Sequence, residues 1–243
     1  MRRVMDRQLL DEAQVFQRHL ARAVCTQDRH GPIETVAGVD VGVMGEQGWA
    51  ALVVLSWPEL AVLDQAVATD RLRWPYVPGF LSFREAPLVF AAYAALRIRP
   101  DLLLCDGQGR AHPRRCGIAC HLGVALDLPA IGVGKSLLCG HHDAVPNERG
   151  GCVALVHRGE QIGAVLRTRT GVAPVVVSPG HRLALESCIG WVLGTARRFR
   201  LPEPIRAAHR LASSHPVMKN RAAHHSWPSS QGTERCTDQS GGP

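Results

Sequence analysis

The sequence predicts an α/β protein, a mixed sheet flanked by helices within a single domain, and three observations carry that prediction. Two short apolar runs, residues 102–105 and 130–133, each end abruptly in polar chemistry, Asp106-Gly107 in one case and Gly134-Lys135 in the other. Such runs fit buried strands that deliver side chains at their carboxyl ends, where open α/β sheets place their sites. Upstream, residues 36–43, 49–57 and 60–69 read as three strands joined by hairpin-like connections, which makes them antiparallel to one another. Between and after these lie stretches of helical spacing, at 5–24, 80–98 and from 117 onward. The 243 residues suit one domain of roughly 200 residues with extensions.

Taken in order, residues 5–24 set Leu9, Leu10, Ala13, Phe16, Leu20 and Val24 at helical intervals among Arg, Asp and Glu, an amphipathic helix whose expected role is core packing. The first strand carries Asp40 in its middle, and a carboxylate in an apolar strand is costly to bury without a partner. Pro58 and Glu59 mark the turn between the second and third strands. Pro75 and Pro78 bracket Tyr76 and hold that stretch extended. Glu85 lies near the start of the helix that follows, where a carboxylate also favours the helix dipole. After Asp106, Gly107 and Gly109 permit tight turns; His112, Arg114 and Arg115 add a titratable group and two fixed cations. One sheet edge would thus gather Asp106, His112 and Lys135. Residues 139–151 form a loop, 152–157 and 161–167 a pair of strands, and 175–177 a further short strand. Ser178, Pro179, Gly180 and His181 are expected to open a helix running to about residue 200, with a last helical stretch at 203–211. From 212 the composition turns to Ser, His, Gln, Gly and Pro, so a catalytic domain of 1–211 is expected to precede a disordered tail of 212–243.

Composition narrows the function classes. A net charge of +7 favours a polyanionic partner. The chain has only two lysines, Lys135 and Lys219, against 26 arginines. Lys135 therefore looks selected for a compact ammonium that a guanidinium does not replace. The eight cysteines show no CxxC pair and are scattered through apolar segments, a pattern of reduced, cytosolic protein. Cys116, Cys120 and His121 lack a second ligand pair at zinc spacing and read as buried helix-face residues. No apolar run approaches the ~18 residues of a membrane span, so no membrane association is expected and the location expected is the cytoplasm.

Asp40, Glu85 and Asp106 are three acids on the first strand, the head of a helix and the end of the fourth strand. Hard oxygen ligands of this kind suit Mg²⁺ or Mn²⁺, and an acidic site in a basic protein is most simply explained by a metal that bridges it to phosphate. Lys135 would add a cation near that phosphate.

These residues resemble the endonuclease V family. The resemblance is carried by AGVDVGV around Asp40, PYVPGFLSFRE from Pro75 to Glu85, DGQGRAHPRR from Asp106 to Arg115, HLGVALDLPAIGVGKSLLCG from His121 to Gly140, SPGHR at 178–182 and RLPEPIRAAHR at 200–210. Together they cover about residues 10–211 in the family's order. The resemblance implies a ribonuclease-H-like fold and a Mg²⁺-dependent deoxyribonuclease that acts in DNA repair, with Mn²⁺ also supporting activity. It implies a cut at the second phosphodiester 3′ to a deaminated base such as hypoxanthine, leaving a 3′-hydroxyl and a 5′-phosphate. Asp40, Asp106 and Glu85 match the family's metal-holding acids, His209 the fourth metal position on the closing helix, and Lys135 the catalytic lysine. Tyr76 matches the aromatic wedge that fills the space left by the displaced base. Pro78, Gly79, Gly107 and Gly109 match the largely backbone-built base pocket, His112 the loop histidine beside it, and Arg114 and Arg115 suit phosphate contacts. Two departures stand out: Gly134 where Ala is usual, and Ser136 where a second Lys or Arg is common.

The expected partner is DNA containing deaminated bases, with inosine-containing RNA as the alternative, met by a monomer. Two other functions share these features. A junction resolvase or hybrid-cleaving ribonuclease would use the same carboxylates without a base pocket, and a non-catalytic nucleic-acid binder would need only the arginines.

Overall fold

In the computed structural model, residues 6–214 are described. The elements in order are α1 (Arg7–Ala23), β1 (Thr35–Met44), β2 (Gln47–Ser56), β3 (Val62–Arg71), α2 (Leu81–Ala95), β4 (Leu102–Asp106), α3 (Ile118–Leu126), β5 (Ala130–Gly134), β6 (Cys152–His157), β7 (Glu160–Leu166), β8 (Val175–His181), α4 (Leu185–Thr195) and α5 (Glu203–Ser213). The eight strands form one sheet in the order β3-β2-β1-β4-β5-β8-β7-β6. β1, β4 and β5 run parallel at its centre. The hairpins β1-β2-β3 and β6-β7-β8 flank them with antiparallel pairings.

Alternation along the strands divides the core in two. Val39, Leu52, Leu103 and Cys105 face α2 and α3 on one side. Val36, Leu102, Leu104, Ile131 and Val177 face α4 and α5 on the other. That period of two is why β1 and β4 read as almost wholly apolar: a central strand is covered on both faces. α5 comes unusually close to the sheet at Gly38, where a β-carbon would lie 1.9 Å from the carbonyl oxygen of Pro204. The close approach brings the helix down onto β1, two residues before Asp40. α1 lies outside these layers and packs on α3 through Leu20, Cys116 and Cys120.

Four expectations are corrected. Residues 178–181 do not open a helix but complete β8, which pairs with β5 through His181. Ser-Pro-Gly imitates a helix start, yet a register shift opposite Ala130 and Ile131 bulges Gly180 out, and the Pro179 carbonyl accepts from Arg110 N at 2.9 Å. The following helix, α4, ends at Thr195 instead of 200. Phe16, expected on the packed stripe of α1, is more than a third exposed, while Gln17 beside it is buried. α5 runs to Ser213, and buried Trp49 donates through Nε1 to the Ala212 carbonyl at 2.9 Å. The helical domain end thus passes residue 211; residues 215–243, most of the expected tail, lie outside the described residues.

Candidate active site

Strand register alone assembles the centre of the site. β1 and β4 are aligned with Val39 opposite Cys105, so the next residues, Asp40 and Asp106, stand side by side. β4 and β5 pair Asp106 with Val133, and Lys135 follows one residue past the end of β5. Its Nζ lies 2.5 Å from Asp106 Oδ2. From the opposite layer His209 on α5 reaches Asp40, Nδ1 to Oδ2, at 2.9 Å. The third acid arrives from α2. Burial pushes the Glu85 carboxyl up to about 8, with the negative charges of Asp40 and Asp106 adding to the rise and Arg84 opposing it. Asp106 is also raised, by burial first, with Lys135 pulling the other way.

Among the described residues no three His, Cys, Asp or Glu side chains close around a common point at metal distance. The donor chemistry nonetheless fits a hard divalent cation: carboxylates from three elements converge, the charges of Asp40 and Asp106 push the Glu85 carboxyl up and that of Asp40 pushes Asp106 up, and Asp106 and Asp40 contact a lysine and a histidine. Negative charge gathered in this way is relieved by a metal ion.

Beside this cluster is a recess of about 260 Å³ lined by Tyr76, Gly79, Gly107, His112 and Lys135 among others. Its roof is the turn from Trp74 to Phe80. Tyr76 is 65% exposed at the tip, and Pro78 shapes the bend in which Phe80 N donates to Val77 O at 2.9 Å. Its floor is the loop after β4: Gly107 N donates to Val133 O at 3.2 Å, and Gly109, buried behind the recess, donates through its N–H to Ser178 Oγ at 2.9 Å. Gly134 gains a reason here. A β-carbon on it would lie 2.3 Å from Gln108 Nε2, and that amide donates to Ser136 O at 2.9 Å, so the side chain of Gln108 occupies the space an alanine would need.

The basic residues of the loop are engaged within the protein. His112 Nδ1 accepts from Arg114 N at 3.1 Å and its Nε2 meets Gly79 O at 3.0 Å. Burial, with Arg114 next, pushes this imidazole down to about 4; it is a neutral donor. Arg114 donates to Gln17 Oε1 at 2.5 Å and Gly79 O at 2.6 Å, its guanidinium stacked on Phe80. Arg115 binds Glu160 at 2.7 Å and the His157 carbonyl at 3.1 Å, away from the recess. His181, in the SPGHR motif, is buried against Asp127 and accepts from Cys25 N.

Sequence reasoning missed Gln17 and Gln108. The signal for Gln17 was present: Ala13, Gln17 and Leu20, at i, i+4 and i+7, are the buried face of α1, and a polar residue in that phase must find partners.

A mixed sheet with three central parallel strands, hairpins on either side and an acid cluster at one end of those strands defines a ribonuclease-H-like α/β protein. Residues 18–210 match the family model described as Endonuclease V. The chain is 58% identical over 204 residues to endonuclease V of Roseiflexus sp., covering 84% of this chain and 92% of that one. Its fold superposes on the crystal structure of the catalytic domain of human endonuclease V with a TM-score of 0.83 at 32% identity, covering 90% of this chain and 99% of that one. It also resembles, with a TM-score of 0.74 at 26% identity over 89% of this chain and 100% of that one, a Ciona intestinalis endonuclease V in complex with a 23mer DNA containing an inosine followed by a ribo-adenosine. This chain belongs to the endonuclease V family.

Proposed function

We propose that this chain is an endonuclease of DNA repair that hydrolyses the second phosphodiester 3′ to a deaminated base, hypoxanthine above all, leaving a 3′-hydroxyl and a 5′-phosphate. The observation that carries the reading is the juxtaposition of two features: an acid cluster joined to a lysine, and, sharing Lys135 and Asp106 with it, a recess able to take one planar base under an exposed tyrosine. A resolvase or a simple polyanion binder has no use for the second feature. The DNA-bound Ciona relative supports DNA as the partner.

In this reading Asp40, Glu85, Asp106 and His209 hold Mg²⁺, for which Mn²⁺ substitutes; the ion supplies Lewis-acid stabilisation of charge developing on the phosphate. Lys135 leaves Asp106 for the scissile phosphate and adds its ammonium there, an interaction that strengthens as negative charge accumulates. His209 sets the orientation of Asp40. Tyr76 fills the gap in the stack while the base sits in the recess against Gly79, Gly107 and neutral His112. The enzyme works as a cytoplasmic monomer, and no described helix is long and apolar enough to cross a membrane.

The test is cleavage of 5′-labelled DNA and RNA oligonucleotides, with and without one inosine, in Mg²⁺ or in chelator. The reading requires a cut that depends on both inosine and Mg²⁺. Cleavage indifferent to inosine would return the protein to the general nucleases.

A further inference from the structure

The polar anchor of the roof turn is a single carbonyl, that of Gly79, and three donors converge on it: Gln17 Nε2 at 3.0 Å, His112 Nε2 at 3.0 Å and Arg114 Nη2 at 2.6 Å. Among the described residues the turn has little else. Between Leu72 and Leu81 the backbone hydrogen bond closing it is Phe80 N to Val77 O, and Trp74 and Phe80 stack on their neighbours. Gln17 is 1% exposed and uses both amide N–H donors and its oxygen here. Its Nε2 also donates to Cys116 O at 3.2 Å, and its Oε1 accepts from Arg114 Nε at 2.5 Å. One side chain on an outlying helix therefore ties the roof (Gly79), the loop guanidinium (Arg114) and the chain just before α3 (Cys116).

The geometry points to Gln17 as a positioning residue for damage recognition: α1 serves as a brace that fixes the Tyr76 turn over the recess, and is more than packing. This rests on the recess being the base site of the proposed function. Energetically the brace is needed because extracting a base gives up its stacking, and a wedge on a loose turn spends part of its contact energy on ordering itself. A single strand makes little such demand. Gln17 lines the recess but makes no hydrogen bond to Asp40, Glu85, Asp106 or Lys135, so its loss should spare the chemistry more than the recognition.

The experiment compares single-turnover rates on inosine in duplex and in single-stranded DNA for wild type, Gln17→Met, Gln17→Glu, Tyr76→Ala and the two double variants with Tyr76→Ala, each with a melting curve. Gln17→Met removes every polar contact at similar size; Gln17→Glu keeps the acceptor for Arg114 and loses the donors to Gly79 and Cys116, and it carries the test if Gln17→Met does not fold. The expected result is a duplex rate reduced at least about tenfold with a clearly smaller loss on single strands. On the Tyr76→Ala background the same substitutions should cost much less, since residues that act through one another are not additive. Equal losses on both substrates, or full additivity with Tyr76→Ala, would overturn the brace. Failure of wild type to cut at inosine would instead sink the proposed function beneath it.

Discussion

The acid cluster and the roof turn, neighbours across one recess, are built by opposite means. Asp40 and Asp106 stand together because two parallel strands are in register at Val39 and Cys105, and Lys135 because β5 ends beside Asp106. Backbone pairing in the middle of a doubly covered sheet places all three, and their backbone stays put while the Lys135 side chain is free to swing. The roof turn is placed by side chains from distant parts of the chain, Gln17, His112 and Arg114, meeting on Gly79 O. In the proposed function, chemistry sits on strands held by register and recognition on a turn held in place by side chains.

The largest effect should come from the scaffold side. Asp40→Asn or Asp106→Asn should lower cleavage on the order of 10³-fold in Mg²⁺, equally on duplex and single strand, while the folded variant still retains nucleic acid in a filter-binding assay. Near wild-type cutting by either variant would remove these acids from the metal set. Lys135→Arg keeps the charge but replaces a compact ammonium by a planar fork beside Asp106. A loss of about tenfold is expected, below the 10²–10³ of deleting a positioned charge outright. An unaltered rate would show that only net charge matters at that position.

How much of this was legible in the sequence follows the same division. Asp40 and Asp106 could be found because one interrupts and the other terminates an apolar run, which is a local signal. The lysine stood out in an arginine-rich chain, and the family motifs covered nearly the whole domain. The brace was hidden, because hydrogen bonds between residues 17, 79, 114 and 116 leave no periodic trace. The partners of Arg114 and Arg115 within the protein were hidden for the same reason: Gln17, Gly79 and Glu160 are remote in sequence. Residues 178–181 were misread as a helix start since Ser-Pro-Gly serves either a helix start or a bulged strand, and only the pairing with β5 decides.

Acid reaches both regions by the same route, a buried imidazole. His112 braces the roof turn, and His121 sits in the scaffold among the rings of Phe16, Phe83 and Phe90, its Nδ1 buried without a partner. Burial pushes each imidazole down to about 4. Because the folded values lie below the unfolded value near 6.5, the unfolded chain takes up protons first. Stability is complete above pH 6.5 and falls as pH drops from 6.5 toward 4, by up to on the order of 3 kcal/mol per histidine. Melting curves at pH 7.5 and 5.0 should show the decline, and His121→Phe, which suits the aromatic cage, should flatten it. A slope unchanged in that variant would assign the acid sensitivity elsewhere. The smallest effect belongs to the C-terminus: a chain ending at Ser214 keeps α5, His209 and the Trp49 contact, and should cut at the wild-type rate. Loss of activity would give residues 215–243 a part in the site.

The division of labour is tested most directly by one ratio, the single-turnover rate on inosine in a duplex over that on inosine in a single strand. Tyr76→Ala should lower this ratio about tenfold or more, because the wedge offsets part of an unstacking cost of a few kcal/mol that the single strand hardly bears. Asp106→Asn, measured with enough enzyme to see its residual cutting, should leave the ratio where wild type has it. A ratio moved by the aspartate and untouched by the tyrosine would contradict the account.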